Sequence, residues 1–271
     1  MLKAKSRVIR GLLLGLLLLI SPGFGVAGSD PDDPMPEGMR PSRPEHQPQN
    51  WAYEGVEGPA HWAMLSPAYR TCEQGSHQSP INIRGAHHVS NGASHLGFDY
   101  RPARVRLMHT GHTVQATYQV GSVLTLDETS YSLRQFHFHS PSEHRIDGQS
   151  YDMEIHLVHQ SEDGRIAVVA VMLEVGLENL SLERLWAELP QRIGQVSGEV
   201  ELNAADLLPG RTNYYLYEGS LTTPPCTEGV QWIVLKEPQF ISLSQMTRFR
   251  AFLGEDARPL QALNAREVVE Y

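Results

Sequence analysis

The sequence predicts a mainly β protein of the α+β class, built on a large, twisted, mostly antiparallel central sheet with a few short peripheral helices. Short runs rich in Val, Ile, Thr and aromatic residues follow one another and are separated by turn residues such as Asp163 and Gly164. Two stretches instead repeat apolar residues at helical spacing. The 271 residues are 41% apolar and 20% charged, a composition typical of one globular domain.

Eight segments are predicted to be strands, because each is either continuously apolar or alternates between apolar and polar residues. They are Val105 to Leu107, Thr113 to Tyr118, Val123 to Leu126, Tyr131 to His139, Asp152 to His159, Ile166 to Val175, Tyr214 to Glu218 and Gln231 to Leu235.

Two helices are predicted in the last third of the chain. The first ends before Pro190, which cannot continue a helix. The second begins after Ser242, which forms a capping box with Gln245, and it ends at Gly254. Their apolar faces consist of Leu182, Leu185, Trp186 and Leu189 in the first helix, and of Met246, Phe249 and Leu253 in the second.

Residues 1–27 are predicted to be a secretory signal peptide. A basic start precedes the apolar run Gly11 to Ile20, and small residues at Gly25 to Ala27 suit signal peptidase. The run is shorter than the roughly 20 apolar residues of a membrane span, so no stable span is expected after cleavage; an uncleaved anchor is the alternative. Residues 28–50 contain six prolines and predict a flexible linker before a folded domain at 51–271. The mature protein is expected in the periplasm or outside the cell.

The charge and the cysteines restrict the function further. The net charge of −9 includes four basic residues in the signal peptide, which leaves −13 on the mature chain and argues against nucleic acid binding. Cys72 and Cys226 are the two cysteines. In an oxidising compartment such a pair predicts one disulfide, with two buried thiols as the alternative.

Three histidines suggest a metal site. Alternation along a strand places Gln135, His137 and His139 on one face, and His156 lies in another predicted strand. If the two strands are neighbours, three imidazoles converge and form a tetrahedral zinc site with one open position, as catalysis requires. Without that convergence, these residues are ordinary half-buried histidines.

Two polar residues are predicted to orient the imidazoles. Gln135 and Glu154 each precede a histidine by two residues on the same strand face, where they can accept an N–H bond from its ring. Otherwise they are inward polar residues without partners, which is costly. His144 and His159 are predicted to make structural hydrogen bonds, and His87, His88, His95 and His109 to lie on the surface.

The chain resembles the alpha-class carbonic anhydrases from Trp51 to Val269. Weaker matches are Trp51 to Gly55, Gly58 to Trp62, Gln78 to Ile83 and Arg258 to Gln261. The strongest matches are Gln135-Phe136-His137-Phe138-His139, Ser142-Glu143-His144, Glu154-Ile155-His156-Leu157-Val158-His159 and Ser220-Leu221-Thr222-Thr223-Pro224-Pro225.

The resemblance implies reversible hydration of carbon dioxide to bicarbonate and a proton. His137, His139 and His156 would hold Zn²⁺, whose bound water has a pKa of about 7 in this family and supplies hydroxide at neutral pH. Thr222 would accept the hydrogen bond of the hydroxide and donate its own proton to Glu143, which fixes the orientation of the nucleophile.

Further roles follow from the same resemblance. His112 would be the proton shuttle, with a surface histidine as the alternative; its neighbours Thr110 and Gln115 replace asparagines that are common in the family. Cys72 and Cys226 match the paired cysteines of exported members. The substrate pocket would consist of Val158, Val168, Leu221, Val230 and Trp232, with Tyr53 and Thr223 in the same cavity.

Two other functions remain compatible with these patterns. One is a non-catalytic binding module on the same fold, and the other is a periplasmic zinc carrier. A binding module on this fold arises when one of the three ligands is lost, but all three are present here together with Thr222 and Glu143. A zinc carrier would gain nothing from an apolar pocket and an oriented hydroxide, so the enzyme is the favoured interpretation. Its partners are carbon dioxide and bicarbonate, and the sequence leaves open whether the chain forms a homodimer.

Overall fold

The computed structural model describes residues 50–89, 95–119 and 121–271. The predicted signal peptide and all but the last residue of the predicted linker lie outside these described residues. Within them, no helix is both long and apolar enough to cross a membrane.

Strands dominate the described part of the chain. They are β1 (Asn82–Ile83), β2 (His87–His88), β3 (Leu96–Asp99), β4 (Ala103–His109), β5 (Val114–Thr117), β6 (Val123–Leu126), β7 (Thr129–His139), β8 (Arg145–Ile146), β9 (Met153–Gln160), β10 (Ile166–Val175), β11 (Val196–Leu202), β12 (Tyr214–Ser220), β13 (Glu228–Leu235), β14 (Gln239–Ile241) and β15 (Val269–Glu270). The α-helices are α1 (Trp62–Leu65), α2 (Thr71–Gln74), α3 (Leu180–Ala187) and α4 (Leu243–Leu253).

Thirteen of these strands form one sheet. Its main path runs β11-β4-β5-β7-β9-β10-β13-β12-β15-β2; β6 pairs with β7 and β3, and β14 pairs with β10. The contacts of β10 with β13 and β14, and of β15 with β2, are parallel, whereas the other pairings in this sheet are antiparallel. The predicted mostly antiparallel sheet is therefore confirmed.

The central strand β10 shows why its sequence is continuously apolar. Val169 and Leu173 pack into the larger apolar cluster on one face of the sheet. Val168 and Met172 pack into a second cluster on the other face. Because both faces of β10 are covered, no polar alternation is required along it.

The two longer helices cover one face of the sheet. The side chain of Asn179 caps α3, and Ser242 and Gln245 form the predicted capping box of α4. Trp186 of α3 and Phe249 of α4 both contact the ring of Phe138, at centroid distances of 4.9 and 5.9 Å. The helices thus pack behind the strand that carries two of the candidate metal ligands.

A disulfide joins Cys72 to Cys226, as the sequence predicts. Both residues are buried with Trp62 and Tyr69 in a small cluster of their own. Cys226 follows Thr222 by four residues, so the bridge ties the loop of Thr222 to the N-terminal part of the domain.

One surface prediction was wrong. His109 is only 9% exposed, because its ring packs against Phe252 with centroids 4.9 Å apart. His87, His88 and His95 are exposed, as expected.

Candidate active site

Neighbouring strands bring the three histidines together. His137 on β7 pairs directly with His156 on β9, and His139 follows two residues later on the same face of β7. The ring centroids lie 5.2 Å apart for His137 and His156, 5.0 Å for His137 and His139, and 4.6 Å for His139 and His156. One nitrogen from each ring lies within 4.8 Å of the others, a spacing at which they could hold a metal ion.

The second nitrogen of each ring is held by the protein. Gln135 Oε1 accepts from His137 Nδ1 at 2.8 Å, and Glu154 Oε1 accepts from His156 Nε2 at 2.7 Å. The backbone carbonyl of Asp256 accepts from His139 Nδ1 at 2.8 Å. These bonds fix the tautomer of each ring. The unprotonated nitrogens, which could bind a metal ion, are therefore His137 Nε2, His139 Nε2 and His156 Nδ1.

Burial and nearby charges set the protonation of the rings. Burial lowers the pKa of His137 well below its usual range, and it also lowers the pKa of His156, so both rings are neutral, as metal ligands must be. Burial also disfavours the charged form of His139, but the carboxylates of Glu143 and Asp256 outweigh it and raise its pKa. The two carboxylates therefore make the electrostatic potential negative on the side of the site where His139 lies.

Glu154 is held on two sides. Besides His156, it accepts from the backbone N–H of His144 at 2.8 Å and from His144 Nδ1 at 2.7 Å. His144 Nε2 in turn accepts from the hydroxyl of Tyr217 at 2.6 Å. Burial tends to raise the pKa of Glu154, but His144 and His156 together lower it well below its usual range. The carboxylate is therefore ionised and rigidly placed.

Glu143 lies beside the three histidines and is 2% exposed. Its Oε1 accepts the backbone N–H of Arg258 at 2.8 Å. Its Oε2 lies 3.5 Å from His139 Nε2 and 3.8 Å from His156 Nδ1, and it has no hydrogen-bond partner among the described residues. The resemblance implies a hydrogen bond from Thr222 to Glu143, but the described residues do not form it, although both side chains are buried.

The side chain of Arg258 connects this carboxylate to the rest of the domain. Its guanidinium donates to Gln78 Oε1 at 2.9 Å, to the carbonyl of Ser79 at 2.8 Å and to the carbonyl of Cys72 at 2.9 Å. Burial lowers the pKa of Arg258 to about 10, so the group stays cationic at neutral pH beside Glu143. Arg258 lies in a segment that resembles the family, but no sequence pattern indicates a role for it, and none singles out Asp256.

The cavity in front of the histidines has two lobes. The apolar lobe has a volume of about 160 Å³ and is lined by Val158, Val168, Leu221, Trp232, Thr222, Thr223, Gln135, His137 and His156. The lining of this lobe, as far as the described residues go, does not include Val230, which is 1% exposed and packs in an apolar cluster with Val168 and Trp232. Four of the five residues that the resemblance implies for the substrate wall therefore line this lobe.

The second lobe has a volume of about 220 Å³, and we call it the polar lobe because most of its lining residues carry a polar group. It is lined by Trp51, Tyr53, Thr110, His112, Thr113, Gln115, Gln135, His137, His139 and Thr223. The hydroxyl of Tyr53 is buried and has no hydrogen-bond partner among the described residues. His112 also lines this lobe, and burial, followed by the nearby His109, lowers its pKa.

Comparison with known proteins identifies relatives over nearly the whole domain. The family model described as eukaryotic-type carbonic anhydrase matches residues 57–271. A carbonic anhydrase of Klebsiella pneumoniae is 44% identical over 227 residues, which is 82% of this chain and 91% of that protein. A carbonic anhydrase of Neisseria gonorrhoeae is 43% identical and covers 82% of this chain and 88% of its own length.

Solved structures agree with these sequence matches. The alpha-carbonic anhydrase of Thermovibrio ammonificans, in complex with the inhibitor sulfanilamide, superposes with a TM-score of 0.79 at 40% identity, over 82% of this chain and all of that chain. Dioscorin complexed with ascorbate superposes with a TM-score of 0.74 at 31% identity, over 82% of this chain and 98% of that chain.

Proposed function

The chain belongs to the eukaryotic-type, or alpha, carbonic anhydrase family, and from this premise we propose that it catalyses the reversible hydration of carbon dioxide to bicarbonate and a proton. The observation that carries the proposal is the convergence of His137, His139 and His156 in the lining of a cavity with an apolar lobe and a polar lobe.

The donor set fits a Zn²⁺ ion. Imidazole nitrogen is a preferred zinc ligand, and three protein ligands with one open position are typical of catalytic zinc. His139 Nε2 is buried without a hydrogen-bond partner among the described residues, which is costly unless a cation binds there. His137, His139 and His156 would hold the ion, which when bound makes a nucleophile available at neutral pH by acidifying water to a pKa of about 7, as in carbonic anhydrases generally.

Thr222 and Glu143 orient the attack in this proposal. A carboxylate oxygen accepts hydrogen bonds, so Glu143 Oε2, which has no hydrogen-bond partner among the described residues, would be the acceptor when the Thr222 hydroxyl turns toward it. The Thr222 oxygen can then only accept from the nucleophile, whose lone pair is thereby turned toward the substrate carbon. The bond from Arg258 N–H to Glu143 Oε1 supports this role, because it holds the carboxylate in place.

The apolar lobe would hold carbon dioxide. The substrate is small and has no net dipole, so a surface of Val158, Val168, Leu221 and Trp232 can accommodate it without strong polar contacts. The side chain of Val158 lies on the same face of β9 as His156, which places this wall next to the metal ligands.

His112 would carry the product proton from the cavity to bulk solvent. An imidazole exchanges protons near neutral pH, and His112 lies in the polar lobe that also contains His137 and Thr223. Tyr53 and Gln115 line the same lobe and offer polar groups for water.

We also propose that the protein works outside the cytoplasm. The Cys72–Cys226 disulfide supports this location, because such bonds persist in oxidising compartments. In this proposal, residues 1–27 are a cleaved signal peptide, residues 28–50 are a flexible linker, and residues 51–271 are the catalytic domain.

Stopped-flow hydration of carbon dioxide by the purified mature protein tests the function. The enzyme is expected to accelerate hydration, to lose this activity after dialysis against a zinc chelator, and to regain it when one equivalent of Zn²⁺ is added back. A zinc-loaded protein without hydration activity would contradict the proposal and would favour a binding module or a zinc carrier.

A further inference from the structure

The side chain of Thr110 organises the loop that carries His112. Strands β4 and β5 are joined by the four residues Thr110 to Thr113. Thr110 Oγ1 accepts the backbone N–H of His112 at 3.2 Å and that of Thr113 at 3.0 Å, and it donates to the carbonyl of Thr113 at 3.0 Å. The backbone N–H of Thr110 also donates to that carbonyl, at 3.0 Å.

These contacts use the full hydrogen-bonding capacity of the hydroxyl. A threonine hydroxyl offers one donor and two acceptor positions, and in this loop all three have a backbone partner. Although Thr110 lines the polar lobe of the cavity, its oxygen has no position left with which to hold a cavity water. Its side chain therefore acts on the backbone of the loop.

The loop has further supports close by. Gly111 has a φ of +94°, which favours glycine, and its N–H donates to His109 Nδ1 at 3.1 Å. The backbone of His109 bonds to Gln195 and Gly194, at 3.2 and 2.7 Å. None of these bonds involves the backbone N–H of His112. Among the described residues, the hydroxyl of Thr110 is the one hydrogen-bond partner of that N–H.

We propose that Thr110 is a positioning residue for proton transfer: its hydroxyl fixes the backbone of His112, so that the imidazole stays in the polar lobe, stacked on Trp51. This inference rests on the proposed function, in which His112 carries the proton. Because the hydroxyl of Thr110 is fully used, cavity water would be ordered by other polar groups of the lobe, among them Tyr53, Gln115 and Thr223.

The first test measures the loop itself and needs no catalysis. Thr110→Val keeps the branched shape but removes the hydroxyl, whereas Thr110→Ser keeps the hydroxyl. In Thr110→Val, solvent exchange of the His112 and Thr113 amide protons, measured by NMR, is expected to accelerate by about fivefold or more, since a lost cap shifts a local equilibrium by that order. Thr110→Ser should exchange like the wild type. Unchanged exchange in Thr110→Val would overturn the proposal.

The second test separates proton transfer from the hydration step. In weak buffer, Thr110→Val is expected to lower kcat by roughly threefold to tenfold while kcat/KM stays constant, because only the return of the proton to solvent depends on His112. Imidazole buffer should restore kcat, and Thr110→Ser should match the wild type in kcat. A Thr110→Val enzyme that is as fast as the wild type in weak buffer, beside a slow His112→Ala enzyme, would overturn the inference.

His112→Ala also distinguishes the two proposals. If its kcat in weak buffer equals that of the wild type, the assignment of His112 as the shuttle fails, and so does the catalytic part of the inference about Thr110. Equal slowing by Thr110→Val and Thr110→Ser would likewise contradict the role of the hydroxyl, because the serine variant retains it.

Discussion

The imidazole of His112 lies flat against the indole of Trp51, with ring centroids 3.6 Å apart and ring planes 11° from parallel. Stacking removes one face of the imidazole from water, and burial is the main cause of the lowered pKa of His112, followed by the nearby His109. Trp51 thus influences both the place of the ring and its affinity for a proton.

Trp51→Ala is expected to raise the pKa of His112 toward its usual value, because the exposed ring regains hydration of its charged form. An NMR titration of the imidazole protons measures this shift. Trp51→Phe, which keeps an aromatic ring to stack on, is the matched control and should stay closer to the wild type. An unchanged pKa in the alanine variant would show that the indole does not desolvate His112.

His112→Ala is expected to lower kcat in weak buffer by about tenfold or more, since general acid–base steps contribute at least that much. The value of kcat/KM should stay near that of the wild type, and added imidazole should restore kcat. Stopped-flow hydration at several buffer concentrations provides the measurement. His88→Ala, which removes an exposed histidine on β2, is the control.

His137→Ala is expected to abolish both zinc binding and hydration, because two imidazoles are too few for a stable catalytic site. Metal analysis of the purified variant gives the zinc content, and stopped-flow kinetics gives the activity. Gln135→Ala should have a milder effect, weakening the affinity for zinc by roughly 10- to 100-fold, as is typical when the partner of a ligand is removed. A His137→Ala variant that binds one zinc and remains active would disprove the ligand assignment.

Replacing both cysteines with serine is expected to lower the free energy of unfolding by about 2–5 kcal/mol. The bridge closes a loop with a sequence separation of 154 residues, which restricts the unfolded chain strongly. Denaturant unfolding of the double variant and of the wild type, with and without reductant, measures the difference. Reductant should affect the wild type alone.

The buried His159 predicts a specific dependence of stability on pH. Burial lowers its pKa to about 3, and its Nε2 bonds to the hydroxyl of Tyr100 at 2.6 Å. Between its unfolded pKa of about 6.5 and this folded value, the unfolded chain binds a proton that the folded protein does not. The free energy of unfolding therefore falls as the pH drops below about 6.5, by at most about 1.4 kcal/mol per pH unit from this residue, and is constant above it.

Urea unfolding of the wild type and of His159→Gln, from about pH 7.5 to about pH 5, tests this dependence. The glutamine variant should show the shallower slope, whatever its absolute stability. Loss of zinc at low pH affects both proteins alike and cancels from the comparison. Parallel slopes would mean that His159 does not stay neutral in the folded protein.

The strand that carries most of the site was predictable from local sequence. The alternation of Gln135, His137 and His139 determines which side chains share a face, and the structure keeps that alternation on β7. Strand β10 and helix α4 have the predicted bounds, because an unbroken apolar run and a capping box are strong local signals.

Contacts made across long distances in sequence were not predictable. The carbonyl of Asp256 accepts from His139, and the backbone N–H of Arg258 donates to Glu143. Both bonds form because a C-terminal segment packs beside β7, and no local sequence pattern predicts that packing. The burial of His109 depends in the same way on Phe252, which is far along the chain. The two-residue strands, such as β1 and β8, are too short to show any periodicity.

The bonds of Arg258 also determine when the site can be completed during biosynthesis. Its partners lie 115 to 186 residues earlier in the chain, and Arg258 itself is near the C-terminal end. A polypeptide that is still being synthesised can already contain all three imidazoles and yet lack the anchor of Glu143. Because such distant pairings form slowly, activity should appear late in folding. Removal of about fifteen residues from the C-terminal end would leave the metal ligands in the chain, but the protein would hydrate carbon dioxide poorly.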